Sequence, residues 1–472
     1  MKKYALTFFL LLCFITYLRA GLQEVFGRSF MFTRPAYYNT AMQQQLWHSI
    51  IYNKKGNSLA SFQLTTFYQH SIDQRKTQRY FLIKGKNELL VSGDANETLL
   101  ATRDVRAEWL NLPDDFKGNL AIKPEQQQLG FFVEYHQDLK QWIDHSFFNG
   151  SFLDISIPVV SVENDLNLMQ FNVANKSLNT PQDIIGAFQQ PAWKYSKITG
   201  KRSRFGVAEI KASFGRSYLS EDYFQIVYSS SFTIPVAKKQ DPQFIFDPVI
   251  GNNRYIGLGG AVNFQILLNS DPSQYAFCFF INFEAIFLIR NKQFRTFDLK
   301  RKPWSRFLLY NKQGAKPNQN IPGVNLLTVD TVSYPFGMFD FSGGWRIQNE
   351  KFEIELGYNA WGHGDEHLRL RRKFTETFGI AGSRVDITAS QSTINQQAAD
   401  DTMFTPVTET DLNLDSAASR SALTHKAFLT GGFKKIGKKI DSFIGAGSFV
   451  EIPQKNSALK NWGIWGKLGT SF

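Results

Sequence analysis

The chain has 472 residues, 43% of them hydrophobic and 20% charged, with a formal net charge of +12. This composition excludes a disordered solvating segment, a collagen-like repeat and a disulfide scaffold, the last because only two cysteines are present. It leaves a puzzle: 44 Phe, 17 Tyr and 9 Trp beside 34 Gly, at a mean hydropathy of only −0.26.

Lys2 and Lys3 precede an apolar run from Tyr4 to Leu18 that ends at Arg19-Ala20, the n-region, h-region and small-residue cleavage site of a secretory signal peptide. Residues 1–20 are therefore expected to be removed. Their loss takes away Lys2, Lys3 and Arg19 and no acid, so the mature charge becomes +9. Cys13 goes with them, and Cys278 alone remains, which rules out an internal disulfide. An exported basic protein meets anionic lipid, polysaccharide or solutes rather than nucleic acid.

Residues 21–57 form a short N-terminal segment, read as a plug or a periplasmic extension, with a helix expected over Thr40–Ile50. A second short helix is expected over Pro181–Gln189. The rest reads mainly in period two. Strands are expected at Leu59–Gln69, Arg79–Lys84, Leu129–Gln137 and Tyr223–Ile234. Leu153, Ile155, Ile157 and Val159 alternate with Asp154, Ser156 and Pro158, and Ile210, Ala212 and Phe214 with Glu209, Lys211 and Ser213. Leu258, Val262, Phe264 and Ile266 alternate with Gly257, Gly259, Asn263 and Gln265. Ala276–Ile289 is apolar but too short for a membrane helix, and it carries Asn282 and Glu284. Phe339–Ile347 and Phe352–Ala360 alternate with Asp340, Arg346, Glu353 and Glu355, and a short turn at Gln348–Lys351 makes them a hairpin. After a long polar loop, His363 to about Arg420, further strands are expected at Ser421–Phe433, Asp441–Ile452 and Trp462–Phe472.

Several of these strands exceed the mean of about 5 to 6 residues in soluble proteins and suit the 9 to 11 residues, roughly, that a tilted strand needs to cross a bilayer. Glycines such as Gly257, Gly357, Gly447 and Gly463 would permit the curvature of a barrel wall. The final residues Trp462-Gly-Ile464-Trp-Gly-Lys-Leu468-Gly-Thr-Ser-Phe472 place apolar groups at alternate positions before a terminal Phe. They resemble the carboxy-terminal insertion signal of Gram-negative outer-membrane β-barrel proteins. The resemblance implies an all-β transmembrane antiparallel barrel over residues 58–472, of about 14 strands (12 to 16). It implies a location in the outer membrane, with Trp462, Ile464, Leu468 and Phe472 read by the barrel assembly machinery, and contact with outer-membrane lipid and lipopolysaccharide. Oligomerisation stays open.

The polar phase of the strands gives the pore-lining candidates Glu209, Lys211, Asn263, Gln265, Asn282, Glu284, Arg346, Glu353, Glu355 and Lys426. These either filter solutes by charge or form structural ion pairs in a narrow lumen. Basic clusters at Lys300-Arg301-Lys302 with Arg306, and at Arg369-Arg371-Arg372-Lys373, suit lipopolysaccharide phosphates or a solvated loop. Trp304, Trp345, Trp361, Trp462 and Trp465 are candidates for an interfacial girdle.

His363-Gly-Asp-Glu366-His367 matches H-x-x-E-H literally, but zinc chemistry there requires a helix, which Gly362, Gly364 and Asp365 oppose. Gly432 to Lys439 approximates a phosphate loop but has Lys where Ser or Thr belongs, and it lies between strands. No catalytic residue, metal or cofactor is expected. The function implied is a porin-like channel for passive diffusion of small hydrophilic solutes, aided by an infolded His363–Arg420 loop. The alternatives are a closed barrel with structural or adhesive loops, an outer-membrane hydrolase, and a secreted soluble β-sandwich.

Overall fold

In a computed structural model, the structure describes residues 27–43, 60–143, 145–220, 224–268, 275–314, 319–349, 351–381, 405–435, 437 and 440–472. Residues 1–20 and most of the expected 40–50 helix lie outside these. Twelve antiparallel strands, each pairing with the next in sequence, make the wall. They are β1 (Ala60–Ser71), β2 (Glu125–Asp138), β3 (Ser151–Asp165), β4 (Glu209–Ser220), β5 (Phe224–Pro235) and β6 (Gly257–Leu267). The wall continues through β7 (Ala276–Leu288), β8 (Gly337–Gln348), β9 (Phe352–His363), β10 (Ala422–Lys435), β11 (Asp441–Pro453) and β12 (Asn461–Ser471). β12 returns to β1 in continuous register from Ser61↔Ser471 to Ser71↔Asn461, which closes the cylinder and leaves no edge.

The count is twelve rather than about 14. The strands run 11 to 15 residues and so consume more chain apiece. One stretch read as wall also lies elsewhere. Arg79–Lys84 falls in a helix, Arg75–Phe81, and a following helical turn. An outside strand, Arg202–Val207, extends the ladder of β3 beyond β4. The switch occurs at Pro158, whose missing N–H suits a break in the ladder; its carbonyl accepts from Ala208 N.

The expected hairpin is β8–β9, in register from Met338↔His363 to Gln348↔Glu353. Asn349 Oδ1 accepts from the amides of Lys351 and Phe352, each at 2.8 Å, and so fixes the turn. Connections of this short kind join strands at one end, while the long ones (72–124, 166–208, 236–256, 289–336, 364–421) all emerge at the other. Barrels of the outer membrane keep short turns on the periplasmic side and long loops outside.

One phase of the strands carries exposed apolar side chains around the cylinder, among them Phe131, Phe214, Phe232, Leu258, Phe287, Trp345, Leu356, Leu429 and Ile444. A soluble monomer rarely leaves so continuous an apolar surface bare. Trp345 and Trp462 belong to this face. Trp361 and Trp465, expected in the girdle, sit on inward-phase positions and are 1% and 3% exposed, and Trp304 is buried among the loops. Inward aromatics find room because glycine faces several of them across the ladder: Gly447↔Trp465, Gly463↔Phe449, Gly357↔Phe428 and Gly130↔Phe67. A Cβ on Gly447 would approach the Trp465 ring to 2.3 Å.

The described parts of the long loops build a second core. Phe81, Leu89, Trp109, Phe116, Phe188, Trp193, Phe297, Trp304, Phe307, Tyr310, Leu368 and Phe378 pack together as a cap over the barrel mouth. The described parts of the 363–420 loop belong to this cap, through Leu368, Phe378, Val407 and Leu412, and not to a constriction in the lumen. Lys302 and Arg306, expected at the surface, are buried there, with Arg306 paired to Asp298 at 3.1 Å.

Two predictions follow from the wall and the cap. Gly447→Val forces Trp465 out of place and costs about 1–3 kcal/mol, so the folded, fast-migrating gel band converts at a lower temperature than for the parent. In the cap, burial raises the Asp94 carboxyl, but hydrogen bonds from Arg103 (2.8 Å) and Arg106 outweigh it and hold the group below its ordinary value. Its stabilisation is therefore full above the ordinary aspartate value of about 3.9 and is lost as pH falls through the lower folded value. Cap loops become protease-sensitive in that acid window, and Asp94→Asn makes them sensitive at neutral pH.

Candidate functional site: the filled lumen

Residues 27–43 run down inside the barrel. At the cap, Gly27 N donates to Tyr80 O at 3.1 Å, Arg28 donates to the carbonyls of Asp415 (2.7 Å) and Ala418 (2.8 Å), and Ser29 Oγ to Thr296 O at 2.6 Å. Phe30, Phe32, Tyr37 and Tyr38 then pack against inward Phe67, Phe132, Phe280, Trp361, Phe428 and Trp465. The segment forms no strand; its one helix is the four-residue Thr40–Gln43. Side chains, not a backbone ladder, hold it.

Arg34 is the main fastening. Its Nη2 meets Asp340 Oδ2 at 2.6 Å and Asn359 Oδ1 at 2.8 Å, its Nη1 meets Glu451, and its Nε donates to Tyr38 O at 2.8 Å. The guanidinium is 3% exposed and Asp340 5%. Asp340 also accepts from Thr40 Oγ1 and Asn359 Nδ2, both at 2.6 Å. Such a charge network is stable only while every member is present. Tyr38 O–H donates to Glu209, and Asn252 donates to the same hydroxyl at 2.8 Å.

All ten candidate positions lie on the inward phase of their strands, in different company. Lys211, Asn263, Gln265, Asn282 and Glu284 line one cavity beneath Thr40, together with Glu134 and Asp154. Lys211 and Glu284 are an ion pair across it. The cavity has a volume of about 150 Å³, and solvent reaches Asn263, which is exposed. Glu209 sits with the luminal segment. Arg346, which donates to Gln265 at 3.2 Å, pairs with Glu355 at 2.6 Å beside the cavity, both 1% exposed, and Glu353 pairs with Lys434. Lys426 is buried beside Arg34, over the Phe449 ring at 4.0 Å.

Sequence reading missed Arg34, Glu134, Asp154, Asp340, Glu451 and Lys434. Glu134, Asp154, Asp340 and Glu451 are polar members of strands that were recognised, so their phase was available; Lys434 was read as part of the turn after Phe433, and nothing local marks Arg34. Trp462, Ile464, Leu468 and Phe472 all lie on the outward face, 37–51% exposed.

The two motifs of the loop and turn hold no assembled chemistry. His363 ends β9, stacked on Phe336 at 3.9 Å; Glu366 is buried and bonded to Arg295 at 3.0 Å; His367 is exposed. Gly432–Lys435 belong to β10. Among the described residues no group of His, Cys, Asp and Glu is placed to hold a metal ion.

No family model matches the chain, and no curated protein matches it. Solved structures similar to it are outer-membrane barrels, the class that the last strand resembles. An outer-membrane channel from Pseudomonas putida F1 is 8% identical, with 88% of this chain and 96% of that one covered, at a TM-score of 0.41. The TodX deltaS2S3 mutant monoaromatic hydrocarbon channel is 9% identical, covering 90% and 92%, at 0.36. A Pseudomonas aeruginosa FadL homologue is 7% identical, covering 95% and 99%, at 0.30.

The Arg346–Glu355 pair tests whether the lumen wall needs its charges. Arg346→Met strands Glu355 in the wall and destabilises by about 3–5 kcal/mol, whereas Arg346→Met with Glu355→Leu recovers most of the loss. Denaturant-dependent tryptophan emission of the refolded barrels measures both.

Proposed function

We propose that the protein is an outer-membrane channel that rests shut and passes small polar solutes when its luminal segment is displaced. The apolar belt outside a closed cylinder supports the membrane location. One observation carries the channel reading: a solvent-reached polar cavity lies directly below a segment, 27–43, that fills the lumen without joining the wall. An always-open porin fits the geometry less well, because the cap and this segment both stand in the path. Flow then depends on gating, with the polar wall filtering what passes.

The cap favours a second reading. A loop layer with its own hydrophobic core is a rigid outer surface, as a barrel serving attachment would present.

Planar-bilayer recording separates the two. The full chain is expected to be nearly silent, and a variant lacking residues 27–43 to conduct steadily. Arg34→Ala, which leaves Asp340 and Glu451 without their main cation, costs the closed state about 3–5 kcal/mol and gives frequent openings. A deletion variant that keeps the heat-dependent gel shift of a folded barrel yet passes no current defeats the channel reading and leaves attachment.

A further inference from the structure

The cavity below Thr40 has a chemistry of its own. Among the described residues its charged lining is Glu134, Asp154, Glu284 and Lys211, so three described carboxylates face one amine in a chain whose overall charge is +12. Lys211 is engaged with one Glu284 oxygen, and His136 holds one Asp154 oxygen at 2.6 Å. Gln63 donates to Glu134 Oε2 at 2.7 Å. Glu134 Oε1 and Glu284 Oε2 accept no hydrogen bond from any described residue, although both side chains are nine-tenths buried or more. Carboxylate oxygens in that position normally have partners, and here the cavity is where a partner would stand. Lys467 attracts Glu134 from the neighbouring wall but does not line the space, and counting it still leaves the described charges negative.

The rest of the lining is not simply wet. Phe152 and Phe280 turn toward the same space, and Phe280 already carries the Arg346 guanidinium at 5.4 Å from its ring centre. An aromatic face beside carboxylates suits a cation mounted on an apolar body.

We propose that this cavity binds small organic cations, with the ammonium or guanidinium group between Glu134 and Glu284 and the apolar body against Phe152 and Phe280. This rests on the channel reading only for its meaning in the cell, since binding is measurable without conduction. Titration calorimetry on the full chain in detergent, with benzylamine as the probe and benzyl alcohol and benzoate as comparators, tests it. Benzylamine is expected to bind at least about tenfold more tightly than the alcohol, the worth of one hydrogen bond to a charged group, and benzoate not at all. Glu134→Gln is expected to weaken benzylamine by a similar factor. If that variant fails to fold, Glu284→Gln, the other carboxylate of the site, carries the same expectation. Equal binding of amine and alcohol, binding of neither, or benzylamine affinity unchanged in the folded variants overturns the proposal. A conducting deletion variant with no amine binding sinks this inference alone, and amine binding without conduction sinks only the channel.

Discussion

The ladder between β12 and β1 is the constraint on which the rest depends. Eleven residue pairs, Ser61↔Ser471 through Ser71↔Asn461, turn a sheet into a cylinder and give every seam a neighbour. In hydrocarbon an unpaired amide or carbonyl costs several kcal/mol, so closure is a condition for residence in a membrane. Closure also fixes phase. Once the wall is shut, each strand has one face in lipid and one in the lumen, and every polar residue of the second face needs a partner inside.

That demand explains the interior. Arg346–Glu355, Lys434–Glu353 and Lys211–Glu284 pair wall with wall, while Asp340 and Glu451 take their cation from Arg34 of the luminal segment. The segment is thus part of the electrostatic design of the wall as well as its filling. The aromatics divide the same way. Trp345, Trp462 and many Phe residues face lipid, whereas Trp361, Trp465, Phe428 and Phe449 lie inside, several opposite glycines that leave space for their rings.

Much of this was legible in the chain. Alternation over Phe339–Ile347 and Phe352–Ala360 gave the β8–β9 hairpin with the correct faces, and the polar phase picked ten inward residues. The strand count and the cap were not legible, for a common reason. Leu89, Trp109, Phe188, Trp304 and Phe378 are scattered over loops that pack only when the barrel brings their ends together, so no periodicity announces them. Arg79–Lys84 illustrates the failure: Tyr80, Phe81, Leu82 and Ile83 read as an apolar strand because they are buried, but the burial is in the cap. Arg34 was invisible because its partners lie 306 and 417 residues away.

The course of residues 27–43 has a mechanical consequence. The chain is pinned at the cap through Gly27, Arg28 and Ser29, passes Arg34 at mid-lumen, and rejoins the wall at Ala60, at the short-turn end beside Ser471. Its bonds at the cap and at Arg34 lie on one short stretch of chain, so a displacement of that stretch along the bore breaks contacts of the mouth and of the lumen together.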